Sequence, residues 1–161
     1  MRKNARYIAH AAMLAALYVV LTHLQNMLLP GSASWAIQFR VSEALCVLAF
    51  FTPAAAPGLT VGCALFNITS GAALPLDFLV GSLATLLAAM SMWRLKKWPW
   101  LGFAMPAIFN AVLVGWELTV YIGGGFWINA LYVAIGELGV LYTLGAGLYF
   151  TIKGRKLEKL F

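Results

Sequence analysis

Charge is what this sequence has least of. Only 10% of its 161 residues are charged, against about a quarter in an average soluble domain, and only five are acids. With 63% hydrophobic residues and a mean hydropathy of +0.87, that scarcity excludes an ordinary soluble globule. No glycine-rich loop is followed by Lys-Ser or Lys-Thr, so the chain carries no Walker-type ATPase. The two cysteines, Cys46 and Cys63, stand in apolar runs without metal-ligand spacing and read as buried free thiols. The two histidines, His10 and His23, have no Cys or acid at ligand spacing, so they read as structural and no metal site is expected. The Ser, His and acidic residues form no catalytic order, and the chain is expected to be neither an enzyme nor dependent on a cofactor.

What is abundant is apolar sequence. About 20 apolar residues span a bilayer, and six segments can be drawn: Ala5 to Met27, Phe39 to Thr52, Pro57 to Gly71, Pro75 to Trp93, Trp100 to Ile122 and Phe126 to Ile152. Pro53, the Gly123-Gly124-Gly125 run and the basic clusters Arg94-Leu95-Lys96-Lys97 and Lys153-Gly154-Arg155-Lys156 separate or close them. The second and third are short, near 14 residues and about 21 Å at helical rise, a length better suited to packing inside a protein than to facing lipid. The fold class expected is therefore an all-α membrane protein: one domain over residues 1–161 with six transmembrane helices.

Six spans return both termini to one side. Arg2, Lys3, Arg6, Arg94, Lys96, Lys97, Lys153, Arg155, Lys156 and Lys159 fall there, and Arg40 alone falls at the opposite boundary. By the positive-inside rule that side is cytoplasmic, and the net charge of +6 reflects membrane orientation rather than nucleic-acid binding. The basic start resembles a signal peptide with a cut near Ser32-Ala33-Ser34. Its apolar stretch is too long, however, and Gln25, Asn26 and Pro30 intervene, so it reads as the first span.

Four of the five acids, Glu43, Asp77, Glu117 and Glu137, lie inside these segments; only Glu158 sits in the basic tail. An acid at bilayer depth costs a few kcal/mol, so it faces a protein interior and often marks a site. In this topology the four tend to one layer in the outward half, with Asn67, Asn110 and Asn129 also embedded. Simpler readings stand beside a binding role. Glu43 can pair with Arg40 three residues earlier on one helix face. Asp77, two residues after Pro75, complements a helix N-terminus. The asparagines can bridge helices. Glu117 and Glu137 have no basic partner in sequence. Trp35, Trp116 and Trp127 read either as interface anchors or as stacking groups over a flat, hydrogen-bond-rich ligand, with the external connection from Pro30 to Gln38 as a lid. Ala5, Ala9, Ala12 and Ala16 form a small-residue stripe on the first helix, for packing within the chain or for docking another protein's helices.

The strings Gln38-Phe39-Arg40-Val41-Ser42-Glu43-Ala44-Leu45, Pro57-Gly58-Leu59-Thr60-Val61-Gly62-Cys63 and Leu74-Pro75-Leu76-Asp77 resemble the queuosine-precursor transporter (QueT) family. Gly81-Ser82-Leu83-Ala84-Thr85-Leu86, Trp116-Glu117 and Ala134-Ile135-Gly136-Glu137 match it too, so the resemblance runs along nearly the whole chain. It implies an S component of an energy-coupling factor transporter in a bacterial plasma membrane, binding a 7-deazaguanine precursor of queuosine with an aminomethyl or cyano group. It further implies a membrane coupling protein and two cytoplasmic ATPases as partners, with Ala5, Ala9, Ala12 and Ala16 matching the coupling-protein contact. The candidate ligand residues are Glu43, Glu117, Glu137, Asp77, Trp35, Trp116, Trp127, Asn67, Asn110 and Arg40. Two other readings stay open: a self-sufficient proton-coupled carrier with Glu117 or Glu137 as its proton site, and an S component for another vitamin or nucleobase.

Overall fold

The computed structural model describes residues 2–32, 37, 39–71 and 73–160, and among them there are helices and no strands. The order is α1 (Arg2–Leu28), a 3-10 helix (Val41–Phe50), α2 (Ala55–Thr69), α3 (Asp77–Arg94), α4 (Pro99–Tyr121) and α5 (Phe126–Val140). Helix α5 passes through one π-helical turn (Leu141–Gly145) into α6 (Ala146–Gly154), and a short 3-10 turn (Leu157–Leu160) follows. Local chemistry sets several of these ends. Pro99 opens α4 in the first turn, where its missing N–H costs nothing. Gly123 and Gly124, at φ +88° and +83°, make the left-handed turn from α4 to α5.

Among the described residues, three helices are long and apolar enough to cross a membrane: Asn4–Leu28, Pro99–Tyr121 and the continuous Phe126–Gly154. The molecule is inside-out relative to a soluble protein. Val20, Ile68, Val120, Ile128 and Leu131 are exposed, whereas Arg40, Glu43, Asp77, Glu117 and Glu137 are buried. Such a surface belongs against lipid.

The second segment departs from the expected 14-residue helix. It is a 3-10 helix of ten residues, buried from Ser42 to Phe50 on every side, and it touches α1 to α6 and the π turn. A segment packed all round has no amphipathic face to reveal its period. At about 2.0 Å per residue the 3-10 form reaches about 20 Å, where an α-helix of equal length would reach about 15 Å. The stretched form gives the bundle a central rod from few residues.

Around the rod, small residues set the helix approaches. A Cβ on Gly58 would lie 2.6 Å from the Ala11 carbonyl oxygen, and one on Gly62 would lie 2.9 Å from that of Ala15 and 2.7 Å from Tyr18 Cβ. The tight face of α1 is therefore Ala11, Leu14, Ala15 and Tyr18, held on the Gly58-to-Gly62 edge of α2 by backbone proximity. Ala5, Ala9, Ala12 and Ala16 lie on the opposite side of α1 and are exposed. Packing within the chain does not account for that stripe.

The two ends of the bundle differ. At one, Phe50, Phe103 and Tyr149 meet edge to face with ring centroids 5.3–5.6 Å apart. Beyond them Arg6, Tyr7 and His10 line a cavity with Thr52, Pro53, Lys159 and Leu160, so both described chain ends lie together. Arg94 lines a second cavity with Thr52 and Pro53. The four buried acids occupy the other end.

Candidate functional site

The first turn of the 3-10 rod delivers Arg40, Ser42 and Glu43 into the bundle. Glu43, 1% exposed, accepts a hydrogen bond from the Tyr18 hydroxyl on one oxygen and from Cys46 Sγ at 3.1 Å on the other. Thr22 Oγ1, one turn beyond Tyr18 on α1, lies 2.7 Å from Ser42 Oγ and 2.7 Å from the Tyr18 carbonyl. Gln25 closes the same face: its Oε1 accepts from the Val41 N–H at 2.7 Å, and its Nε2 donates to Ser32 Oγ at 2.9 Å and to the Phe39 carbonyl. Gln25 therefore pins both ends of the connection between α1 and the rod.

Arg40 extends toward α2 and α3. Its guanidinium lies over the Phe66 ring at 5.7 Å, with Nη1 4.0 Å from Cys63 Sγ. It also lies 4.0 Å from where a Cβ would sit on Gly81, so the missing side chain of α3 makes its room.

The remaining acids come from three helices. Asp77 opens α3; its Oδ2 accepts from the Leu74 N–H at 2.6 Å, and its carbonyl accepts from Asn67 Nδ2 of α2 at 2.8 Å. Glu137 of α5 accepts from Asn110 Nδ2 of α4 at 3.0 Å on Oε1 and has no donor on Oε2. Glu117 of α4 is fully buried, with no donor on either oxygen. Asn67 Oδ1 is also without a donor. Buried acceptors are almost always paired, because a lost hydrogen bond in low dielectric costs about 1–3 kcal/mol. A cluster of unpaired acceptors contributed by α2, α4 and α5 fits a partner that brings donors.

The sequence candidates divide accordingly. Glu43, Asp77, Glu117, Glu137, Asn67, Asn110 and Arg40 are buried together. Trp116 is half exposed and Trp127 is 81% exposed, and Trp127 lines an apolar groove with Ala107, Ala111 and Ala134 on the outside of α4 and α5. Their exposure contrasts with the burial of the acids. Neighbouring residues on an α-helix point about 100° apart, so Trp116 and Glu117 cannot share an inward face. Trp35 and most of the proposed lid lie outside the described residues. Asn129 bonds Thr119 and the Gly123 carbonyl, both at 3.0 Å, and so braces the turn between α4 and α5. His23 bonds Thr69 at 3.0 Å and packs edge-on against Phe66, a structural role as expected. Cys46 and Cys63 are buried free thiols, also as expected.

Tyr18, Thr22 and Gln25 belong to this layer and were not among the candidates. Their spacing of four and three was a usable signal: it sets one polar stripe on α1, on the face opposite the alanines.

A family model described as QueT transporter matches residues 8–154. Over 90 residues the chain is 40% identical to the queuosine precursor transporter QueT of Lactococcus lactis subsp. cremoris (strain MG1363). That match covers 53% of this chain and 49% of the relative, so it spans about half of the curated protein's length. No solved structure matches the chain.

Proposed function

The chain belongs to the QueT transporter family, and on that premise we propose that it is the substrate-capturing subunit of an energy-coupling factor importer for a 7-deazaguanine queuosine precursor. The observation that carries this reading is the buried layer in which Glu117, Glu137 and Asn67 hold acceptors without donors. A guanine-like edge presents ring and exocyclic N–H groups, and a carboxylate accepts two of them side by side. Glu117 and Glu137 accept these N–H groups; Asn110, Asn67 and Asp77 orient them, and Arg40 balances the charge. Glu43 holds the rod against α1 and contributes through its field. Because the four acids are only 0–4% exposed, the ligand reaches them when the outer connections move.

Six spans with both termini in the cytoplasm of a bacterial cell agree with the shared position of the described chain ends and with the basic residues gathered there. The exposed stripe Ala5, Ala9, Ala12 and Ala16 suits a coupling protein's helices, and two ATPases supply the energy for which this chain carries no phosphate loop. The test is binding of the aminomethyl and cyano precursors to the purified chain, with guanine and riboflavin as controls. Tight binding of a precursor alone is expected. Undiminished affinity in both Glu117→Ala and Glu137→Ala sinks the site assignment. Uptake into vesicles without any ATPase, driven by a pH gradient, selects the stand-alone carrier instead.

A further inference from the structure

We infer that the basic cavity where the two described chain ends meet binds the phosphate headgroup of an anionic phospholipid. It lies at the opposite end of the bundle from the buried acids and does not depend on the capture reading. The chain brings its cations there from both directions. Arg6, Tyr7 and His10 come from the first turns of α1, Lys159 from the 3-10 turn after α6, and Thr52 from the corner between the rod and α2. Lys156 makes the return. Its φ of 54° is a left-handed conformation that residues other than glycine seldom adopt, and it turns the chain between α6 and Leu157–Leu160. A merely solvated basic tail would splay away from Arg6, because like charges repel. Instead Arg6 and Lys159 share one cavity of about 590 Å³, a size within the range of about 300–1,000 Å³ that small-ligand sites take. Among the described residues, its lining holds no carboxylate.

The lining matches what a phosphate requires, which is opposite charge together with several donors for its oxygens. Arg6 and Lys159 supply the charge, and Tyr7 contributes a hydroxyl. Thr52 is buried; its Oγ1 accepts from the Ala54 N–H at 3.4 Å, which leaves its own proton to donate. The surface leading away from the cavity distinguishes a lipid from a free phosphate. Met13, Leu17 and Leu24 follow Arg6 at spacings of seven, four and seven, so they lie on its side of α1, and all three are exposed. A headgroup held at Arg6 therefore has bare apolar surface beneath it for its acyl chains. The cavity also lies at the end proposed to face the cytoplasm, where the membrane leaflet carries anionic headgroups.

The test titrates the purified full chain in detergent with short-chain phosphatidylglycerol, short-chain phosphatidylcholine and glycerol phosphate, read by thermal unfolding and native mass spectrometry. Phosphatidylglycerol should bind saturably, at least about tenfold tighter than the zwitterionic lipid, which lacks the net charge, and than glycerol phosphate, which lacks the chains. Arg6→Gln and Lys159→Gln should each weaken it about fivefold, the effect of one cation at a charged surface. Lys97→Gln removes the same charge from the same end but outside the cavity, and should change binding by no more than about twofold. All three side chains are exposed, so the fold should survive each substitution, and an unshifted unfolding temperature of the lipid-free protein checks this. Equal losses in Lys97→Gln and in the two cavity variants would reduce the site to diffuse charge and overturn it. Glycerol phosphate bound as tightly as the lipid would overturn the lipid assignment in favour of a soluble phosphate. Equal binding of both lipids, or of none of the three compounds, would overturn the site altogether.

Discussion

Polar groups of the same kind are treated in opposite ways on the two sides of the central rod. On the α1 side, Tyr18, Thr22, Gln25, Ser42, Glu43 and Cys46 close on one another, and each oxygen of Glu43 has a donor. On the side of α2, α4 and α5, Glu117, Glu137 and Asn67 keep acceptors open. Both sides are equally buried, so burial alone does not distinguish a structural acid from a binding one. Completeness of hydrogen bonding does. The closed network fixes where the rod stands, and the open one waits for donors that the chain does not supply.

The comparison breaks most sharply at Glu117. Glu117→Gln keeps the volume and removes the charge; loss of a charged hydrogen bond worth about 1.5–3 kcal/mol should weaken precursor binding by about 10- to 150-fold. Stability of the empty chain should hold or rise, because an uncompensated buried charge has been removed. Titration and thermal unfolding of the same preparation read both effects. A variant that unfolds early would place Glu117 with the structural acids.

Glu43→Ala is the mirror experiment. It leaves the Tyr18 hydroxyl buried without its acceptor, at a cost of about 1–3 kcal/mol, and frees the first turn of the rod. Here stability should fall first, as a lower unfolding temperature in detergent, and affinity should follow only through the fold. An unchanged unfolding temperature would mean that the closed network does not hold the rod.

A smaller effect sharpens the boundary between the two sides. Tyr18→Phe deletes one hydroxyl and should cost about 1 kcal/mol of stability. Combined with Glu43→Gln it should be non-additive by at least about 0.5 kcal/mol, since the two groups share a hydrogen bond; combined with Glu117→Gln it should be additive. Coupling between Tyr18 and Glu117 would show the two sides to be one network.

Much of this was legible in the sequence. Proline, the glycine run and the basic clusters mark helix ends, and α3, α4 and the Phe126–Gly154 rod begin or stop within a residue or two of those marks. That Glu117 and Glu137 lack basic neighbours was already visible, and the structure leaves both partly or wholly unpaired. The 3-10 form of Val41–Phe50 was hidden because a segment buried on all sides shows no periodicity. Tyr18 was hidden for a different reason: its ring passes as one more apolar residue among Leu17, Val19 and Val20, and only its hydroxyl reveals the network. Trp116 stands beside Glu117 in sequence but is half exposed where Glu117 is buried, because proximity along a helix is not proximity across it.

The smallest expected effect concerns those tryptophans. Trp116 is half exposed and Trp127 is 81% exposed on the outer surface of α4 and α5. If the binding energy comes from unpaired acceptors in the interior, Trp116→Ala and Trp127→Ala should each change precursor affinity by no more than about twofold, the range of surface substitutions. Their effect should appear instead in how the protein sits at the membrane interface, where indole rings anchor. A tenfold loss of affinity in either variant would mean that the outer helix ends rearrange to bring an indole over the ligand. The open acceptors would then be only half of the site, and the contrast between the two sides would have to be redrawn around a closed, ligand-bound form.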